Sequence, residues 1–218
     1  MALYYQKRHK MKLANIKWFF FDIGSTLVDE SVAYQNRIER TIANTDISYD
    51  EFYQRMVEIS KHNQDAYNRA LEEYSLKKAP WNSDDEFAYP EAEGCLSELS
   101  KRYKIGIIAN QNLGSKERLD KLGLLKHIDL VIASAEEDVA KPEIKIFQIA
   151  LDRAGCKPEE AVMVGDRLDN DIVPANKIGM TTVWIKQGFG GLTETQTIDE
   201  TPDYIIDKLT DIYQLIGV

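Results

Sequence analysis

Side chains that could carry out chemistry stand at four places along the chain. Asp22, Asn110 and Asp166 each follow a run of apolar residues with the composition of a buried strand, and Lys141 stands in a loop before a predicted helix. A carboxylate can attack an electrophile or bind a hard metal cation, and a lysine ammonium can offset the charge of an anionic substrate. Ligands of open α/β sheets collect beyond the carboxyl ends of the strands, so we expect these side chains to meet there.

Segment 17–29 is the clearest of the elements that must position these groups. Its aromatic and apolar residues end at Asp22 and are followed by a Gly-Ser-Thr turn, which is typical of a buried strand, although periodicity alone leaves a buried helix open. From Pro90 onward, apolar runs alternate with helical patterns, which predicts a parallel sheet with helices on both faces. The predicted strands are 18–21, 104–109, 128–133, 161–165, 181–185 and 204–206. The predicted helices include 115–122, 169–177, which Asp169 would cap, and 207–216.

Residues 31–89 have helical spacing and contain no glycine. Ser48 and Glu51 form a capping box, in which the hydroxyl and the carboxylate satisfy free backbone amides at the start of a helix. The apolar residues at positions 52, 56 and 59 then follow at helical spacing, which favours the core of a small helical unit over a ligand site. Residues 81–90 are polar and acidic, and we interpret them as a linker that returns to the sheet.

Length and charge exclude several classes of function. The 218 residues suffice for one large domain or for a core with a modest insertion. A formal net charge of −9 disfavours nucleic acid, because phosphate binding needs a basic patch. No apolar run approaches the roughly 20 residues of a membrane span, and no secretory leader is evident. We expect a soluble cytoplasmic protein, monomeric or homodimeric, in which Cys95 and Cys156 are free thiols and the first 16 residues form a loosely packed basic arm.

Three ordered motifs resemble those of the haloacid dehalogenase-like (HAD) hydrolases, whose usual members are magnesium-dependent phosphatases. The motifs are Asp22-Ile-Gly-Ser-Thr-Leu, Lys141-Pro142, and Gly165-Asp166 with Asp171 further on. Their order and spacing match the family across nearly the whole chain. The resemblance therefore implies hydrolysis of a small phosphorylated metabolite through an aspartyl-phosphate, with Mg²⁺ as cofactor.

The same resemblance implies the architecture. The fold would be α/β, with a doubly wound parallel sheet in a Rossmann-like core made of residues 1–30 and 90–218. Residues 31–89 would form a small α-helical cap that covers the active site and selects the substrate. The linker 81–90 would then act as a hinge.

Individual roles carry over onto the residues that match the motifs. Asp22 would be the nucleophile, and Lys141 would hold the nucleophile and the phosphate in place. The metal ligands would be Asp22, the backbone carbonyl of Gly24 and Asp166, while Asp171 would hold a metal-bound water or orient Lys141. The substrate-binding residues implied are Thr26, Asn110, Gln111 and Lys141.

Two departures from the family pattern matter for catalysis. Gly24 stands where the phosphatases usually carry a second Asp, which protonates the leaving group and activates water. Ala109 stands where they usually present Ser or Thr. The metal site can survive the first change, because its middle ligand is a backbone oxygen. General acid–base catalysis raises the reaction rate ~10²- to 10⁴-fold, so without the second Asp we expect slow turnover that depends steeply on the leaving-group pKa.

Three alternatives remain open at this stage. A 2-haloacid dehalogenase also lacks the second Asp, but its metal-free chemistry has no need of Asp166. A phosphonate hydrolase needs an imine-forming cap lysine, for which Lys61, Lys77 and Lys78 are available. A weakened phosphate-binding or regulatory protein would explain Gly24, but it would not need the nucleophile.

Overall fold

The computed structural model describes residues 13, 15–194 and 197–217, so most of the predicted basic arm lies outside the described residues. The strands are β1 (Trp18–Phe21), β2 (Val28–Asp29), β3 (Phe87–Ala88), β4 (Lys104–Ala109), β5 (Leu130–Ala133), β6 (Ala161–Gly165), β7 (Thr181–Ile185) and β8 (Tyr204–Ile206). The helices are α1 (Ser31–Ile42), α2 (Tyr49–Ser60), α3 (Ala66–Tyr74), α4 (Ala92–Leu99), α5 (Ser115–Lys121), α6 (Ser134–Glu137), α7 (Ile144–Ala154), α8 (Val173–Ile178) and α9 (Ile212–Ile216).

A six-stranded sheet in the order β5-β4-β1-β6-β7-β8 forms the centre of the molecule. Every neighbouring pair in it is parallel, and β1 lies between β4 and β6. Helices cover both faces, as the alternation of elements predicts. The doubly wound α/β fold is therefore confirmed, including β1 as a central strand.

The aromatic residues of β1 explain its place in the sheet. Phe19 and Phe21 point into the apolar cluster on one face, and Phe20 points into the cluster on the other. All three are almost completely buried, and burial of such a side chain stabilises the fold by roughly 1.5–3 kcal/mol. A strand that is apolar on both faces can only lie inside the sheet. Asp22 is thereby fixed at the carboxyl edge.

Helices α1, α2 and α3 pack around a separate apolar cluster that contains Phe52, Met56 and Ile59, as predicted. Ser48 confirms its half of the capping box, because its side chain accepts a hydrogen bond of 3.2 Å from the backbone N–H of Glu51. The two chain segments that lead into and out of these helices pair as the antiparallel strands β2 and β3. The bounds 31–89 for the cap remain our proposal.

The segment after β6 differs from the prediction. Instead of one helix over 169–177, a π-helical turn (Leu168–Ile172) precedes α8, and Pro174 lies in the first turn of α8, where its missing N–H costs nothing. Asp169 does not cap this turn, so that prediction is wrong. Its carboxylate pairs instead with the Arg167 guanidinium, at 2.5 Å between Oδ2 and Nη2.

Three further expectations concern the cysteines, the C-terminal helix and membrane-spanning helices. Cys95 and Cys156 are both free, as predicted. Residues 207–216 form a 3₁₀ turn (Leu209–Asp211) followed by α9, rather than one continuous helix. Among the described residues, none of the helices combines the length and the apolar character needed to cross a lipid bilayer.

Candidate active site

The carboxyl ends of β1, β4 and β6 open into one cavity of about 300 Å³. Asp22, Asn110 and Asp166 each follow one of these strands and line the cavity, and Lys141 reaches it from the loop before α7. The convergence expected from the sequence is therefore observed. The cavity is also lined by Gly24, Glu30, Tyr34, Gln111, Arg167, Asn170, Asp171 and Phe189, among other residues.

Lys141 is the only one of the four expected groups whose side chain bridges two carboxylates. Its Nζ atom lies 2.7 Å from Oδ1 of Asp22 and 2.6 Å from Oδ1 of Asp171. The Lys141 side chain is only 2% exposed. Burial by itself would lower its pKa, but Asp171 and Asp22 raise the pKa above the usual value of a lysine. Lys141 is therefore a buried ammonium that fixes the orientation of Asp22.

Three carboxylates form a group that fits a metal cation. One oxygen from each of Asp22, Asp166 and Asp171 lies within 4.8 Å of the others. Burial, followed by the charges of Asp171 and Asp22, raises the pKa of Asp166 well above its usual range. A bound divalent cation would offset this crowding of negative charge, and hard carboxylate oxygens are the ligands that Mg²⁺ prefers. The donor set thus suits Mg²⁺.

The Gly24 carbonyl and the Asp171 carboxylate differ in their availability as ligands of such a cation. The bridge between Gly24 and Val28 uses the Ile23 carbonyl and the Ser25 N–H, so it leaves the Gly24 carbonyl unengaged. Both oxygens of Asp171 accept hydrogen bonds, one from Lys141 and the other, at 3.0 Å, from a backbone N–H. Its geometry favours the second of its two expected roles, which is to orient Lys141.

Close packing of Asp171 depends on the glycine that ends β6. A Cβ atom on Gly165 would lie 2.3 Å from the carboxyl carbon of Asp171. The absence of a side chain at Gly165 is thus what admits the Asp171 carboxylate beside the strand end. Both residues of the Gly165-Asp166 pair therefore contribute to the site: Gly165 leaves space for Asp171, and Asp166 supplies a carboxylate.

Asn110 positions Lys141 rather than facing the cavity freely. Its Nδ2 atom donates to the Lys141 carbonyl at 2.8 Å, and its Oδ1 atom accepts from the Lys141 N–H at 2.7 Å. Gln111 also lines the cavity, and its side-chain oxygen accepts a hydrogen bond from Arg118. Thr26 is fully buried and is not among the described residues that line the cavity. The expected contact between Thr26 and substrate stays a prediction.

We expect Asn110→Ala to destabilise the protein by roughly 1–3 kcal/mol, since the buried backbone N–H and carbonyl of Lys141 would each lose a partner. Chemical denaturation in the presence of a chelator measures this change. Asn112→Ala is the matched control, because Asn112 is exposed two residues further on. Equal stability of the two variants would contradict the role of Asn110 in positioning Lys141.

Glu30 is a cavity residue that the sequence motifs did not indicate. It lies at the start of α1, and its Oε2 atom accepts a hydrogen bond of 3.2 Å from the Ser25 hydroxyl. Burial, followed by the negative charges of Glu86 and Asp22, raises the pKa of Glu30 to about 8. No motif spacing marks this position, and only the folded chain reveals that its carboxyl faces the site.

The helical region contributes the opposite wall of the cavity. Tyr34 from α1 packs edge-on against Phe189, with ring centroids 5.2 Å apart. The end of α2 is joined to the segment after β7 by two hydrogen bonds. The Thr193 hydroxyl donates to the Ser60 carbonyl at 2.8 Å, and the Glu194 N–H donates to the carbonyl of Lys61, which follows α2, at 3.1 Å. These contacts hold the helices over the strand ends, so the cavity is enclosed by both parts of the chain.

Comparison with known proteins identifies the family. A glyceraldehyde 3-phosphate phosphatase from Pyrococcus furiosus is 34% identical to this chain over 230 aligned positions, which cover 94% of each protein. The chain belongs to the HAD-like hydrolases. A family model described as HAD-hydrolase-like matches residues 139–212, a segment that contains Lys141, Asp166 and Asp171. The resemblance drawn from the motifs is thereby confirmed.

Solved HAD structures agree with this assignment. A HAD phosphatase from Thermococcus onnurineus matches with a TM-score of 0.64 and 26% identity, covering 93% of this chain and 98% of that one. The magnesium-bound HAD-hydrolase YfnB from Bacillus subtilis matches with a TM-score of 0.72 and 18% identity, covering 94% and 100%. At 18% identity the second likeness concerns the fold alone.

Proposed function

We propose that this HAD-like hydrolase is a magnesium-dependent phosphatase that cleaves a small phosphorylated metabolite through an aspartyl-phosphate on Asp22. The observation that carries the proposal is the arrangement of Asp22, Lys141 and Asp166 on the floor of one cavity. It supplies a nucleophilic carboxylate, a buried cation that orients it, and a second carboxylate suited to a metal.

Each residue of the floor has a defined part in this chemistry. Lys141 engages Oδ1 of Asp22, which leaves the other carboxylate oxygen to attack phosphorus. Asp171 and Asn110 hold the side chain and the backbone of Lys141, respectively. Mg²⁺, held by Asp22, Asp166 and the Gly24 carbonyl, would supply the positive charge that lets an anionic phosphate approach the nucleophile.

The charge of the cavity wall favours a metal requirement. Besides Glu30, whose raised pKa favours the neutral carboxyl, four carboxylates face two cationic side chains there: Asp22, Asp65, Asp166 and Asp171 against Lys141 and Arg167. A phosphate monoester would be repelled by this surplus unless a divalent cation neutralised part of it. We therefore expect hydrolysis to stop when a chelator removes Mg²⁺.

Cavity size and family relationships favour a small substrate. A volume of about 300 Å³ is at the lower end of ligand pockets, which suits a phosphoryl group on a short carbon chain. The relative from Pyrococcus furiosus is a glyceraldehyde 3-phosphate phosphatase, so triose phosphates head the candidates. A panel of triose, sugar and aryl phosphates, assayed for phosphate release with Mg²⁺ and with chelator, tests the proposal. Release that is unaffected by chelator would contradict it.

The same panel separates the alternatives. The phosphonate hydrolase is disfavoured because none of Lys61, Lys77 and Lys78 is among the described residues that line the cavity with Asp22. A 2-haloacid substrate tests the dehalogenase by halide release. A protein that only binds phosphate would release neither phosphate nor halide.

Asp166→Asn should weaken Mg²⁺ binding by at least about tenfold, because even the loss of an outer-shell partner of a metal site costs that much. Calorimetric titration of Mg²⁺ into the purified variant measures this without relying on activity. Asp120→Asn, which removes an exposed carboxylate from α5, is the control. An unchanged affinity in Asp166→Asn would move the metal site elsewhere.

A further inference from the structure

The carboxyl group of Glu30 occupies the space that a side chain at position 24 would take. A Cβ atom built on Gly24 would lie 2.5 Å from Oε1 and 2.8 Å from Cδ of Glu30. A side chain at position 24 would therefore require the Glu30 carboxyl to move aside. Position 24 is where HAD phosphatases usually carry the acid–base aspartate, so a carboxyl is present at this place although the residue that supplies it lies six positions further along the chain.

The fold holds Glu30 in this place from two directions. Its backbone carbonyl accepts a hydrogen bond of 2.8 Å from the Tyr34 N–H in the first turn of α1. Its Oε2 atom accepts from the Ser25 hydroxyl, in the loop that follows Asp22. The carboxyl is thus tied to the nucleophile loop, and it lines the same cavity as Asp22.

We propose that Glu30 is the general acid and base of this enzyme and performs, from the residue before α1, the task of the aspartate that is absent at position 24. The proposal rests on the phosphatase function proposed above. It replaces the expectation, drawn from the sequence, that no acid protonates the leaving group.

The two steps use the same carboxyl group in opposite directions. In the first step an oxygen of Asp22 bonds to phosphorus, the bond from phosphorus to the ester oxygen breaks, and that oxygen takes the proton of Glu30 and departs as an alcohol. In the second step the Glu30 carboxylate accepts a proton from water, whose oxygen bonds to phosphorus. The bond from phosphorus to Asp22 then breaks, which releases phosphate and restores both side chains.

Glu30→Gln tests this role, because it keeps the shape of the side chain and the acceptor for Ser25 but cannot deliver a proton in the same way. We expect kcat/KM for alkyl phosphates to fall ~10²- to 10⁴-fold, while aryl phosphates with acidic leaving groups lose little in the first step. The dependence of kcat/KM on leaving-group pKa should be shallow in the wild type and steep in the variant. Glu39→Gln, an exposed change on the same helix, is the control.

The aryl substrate p-nitrophenyl phosphate adds an independent readout. Phosphorylation of Asp22 by this substrate needs no acid, but hydrolysis of the aspartyl-phosphate needs the base. Glu30→Gln should therefore release about one equivalent of p-nitrophenolate per enzyme in a burst and then turn over slowly. A role of Glu30 in packing alone would give no burst.

Placing a carboxyl at position 24 distinguishes an acid–base role of Glu30 from a purely structural role. Gly24→Asp alone would place its Cβ against the Glu30 carboxyl and displace that carboxyl from its position. Gly24→Asp combined with Glu30→Ala removes that clash and should recover alkyl phosphate hydrolysis that Glu30→Ala alone loses. Recovery would support the acid–base role.

Failure of this inference can be told from failure of the proposed function. If wild-type hydrolysis requires Asp22 and Mg²⁺ but Glu30→Gln leaves the leaving-group dependence unchanged, Glu30 is not the acid and the phosphatase assignment stands. If the wild type releases no phosphate from any ester in a manner that requires Asp22, both proposals are overturned.

Discussion

Asp22→Asn is expected to reduce phosphatase activity on the order of 10⁴-fold or more, which is the scale of removing a catalytic nucleophile. The substituted amide is nearly isosteric with the carboxylate, but it is a poor nucleophile. It also loses the charge that pairs with Lys141 and that would bind the metal. Steady-state kinetics with an aryl phosphate measure the effect most sharply, because that substrate needs the least help from other groups.

The fold of Asp22→Asn should remain intact. Asp171 still pairs with Lys141 at 2.6 Å, so the buried ammonium keeps a partner. Thermal unfolding with chelator should therefore stay close to that of the wild type. Asp152→Asn, an exposed change on α7, controls for charge loss in general and should keep full activity. Wild-type activity in purified Asp22→Asn would refute the aspartyl-phosphate mechanism.

The sequence predicted the sheet because its strands carry strong local signals. The run that ends at Asp22 is apolar throughout, which together with the alternation of strands and helices after Pro90 favours a central position in an α/β sheet. Convergence of Asp22, Asn110 and Asp166 then follows from the parallel arrangement, since the carboxyl ends of such strands share one edge. Lys141 stands in a loop rather than at a strand end, and its role beside Asp22 was indicated by the family resemblance.

The remaining features of the site depend on tertiary placement that no local pattern encodes. In the sequence, Glu30 is one more acidic residue near the start of a predicted helix. The closeness of its carboxyl to Gly24 depends on the path of the chain into α1. Thr26 matched the motif, yet it is fully buried and is not among the described residues that line the cavity. Asp169 and Asp171 are equally acidic, but the π-helical turn directs only Asp171 to Lys141. Spacing in sequence could not make that choice.

Lys141→Met is expected to cost both activity and stability. The buried carboxylate of Asp171 and the partly buried carboxylate of Asp22 would lose their shared cation, and removal of one partner from a buried ion pair costs about 3–5 kcal/mol. Chemical denaturation at neutral pH with chelator present measures the loss. Lys126→Met, which removes an exposed lysine, should change stability by well under this amount.

Lys141→Met combined with Asp171→Asn separates the two losses. The double change removes the cation together with its most buried carboxylate, so we expect it to recover much of the stability lost in Lys141→Met. The coupling between the two positions should lie in the range of about 0.5–3 kcal/mol, as for other residues in direct contact. Activity should not return, because Asp22 would still lack the ammonium that orients it. Strictly additive effects on stability would show that Lys141 and Asp171 do not act as a pair. Recovery of activity together with stability would show that Lys141 serves the fold and not the reaction.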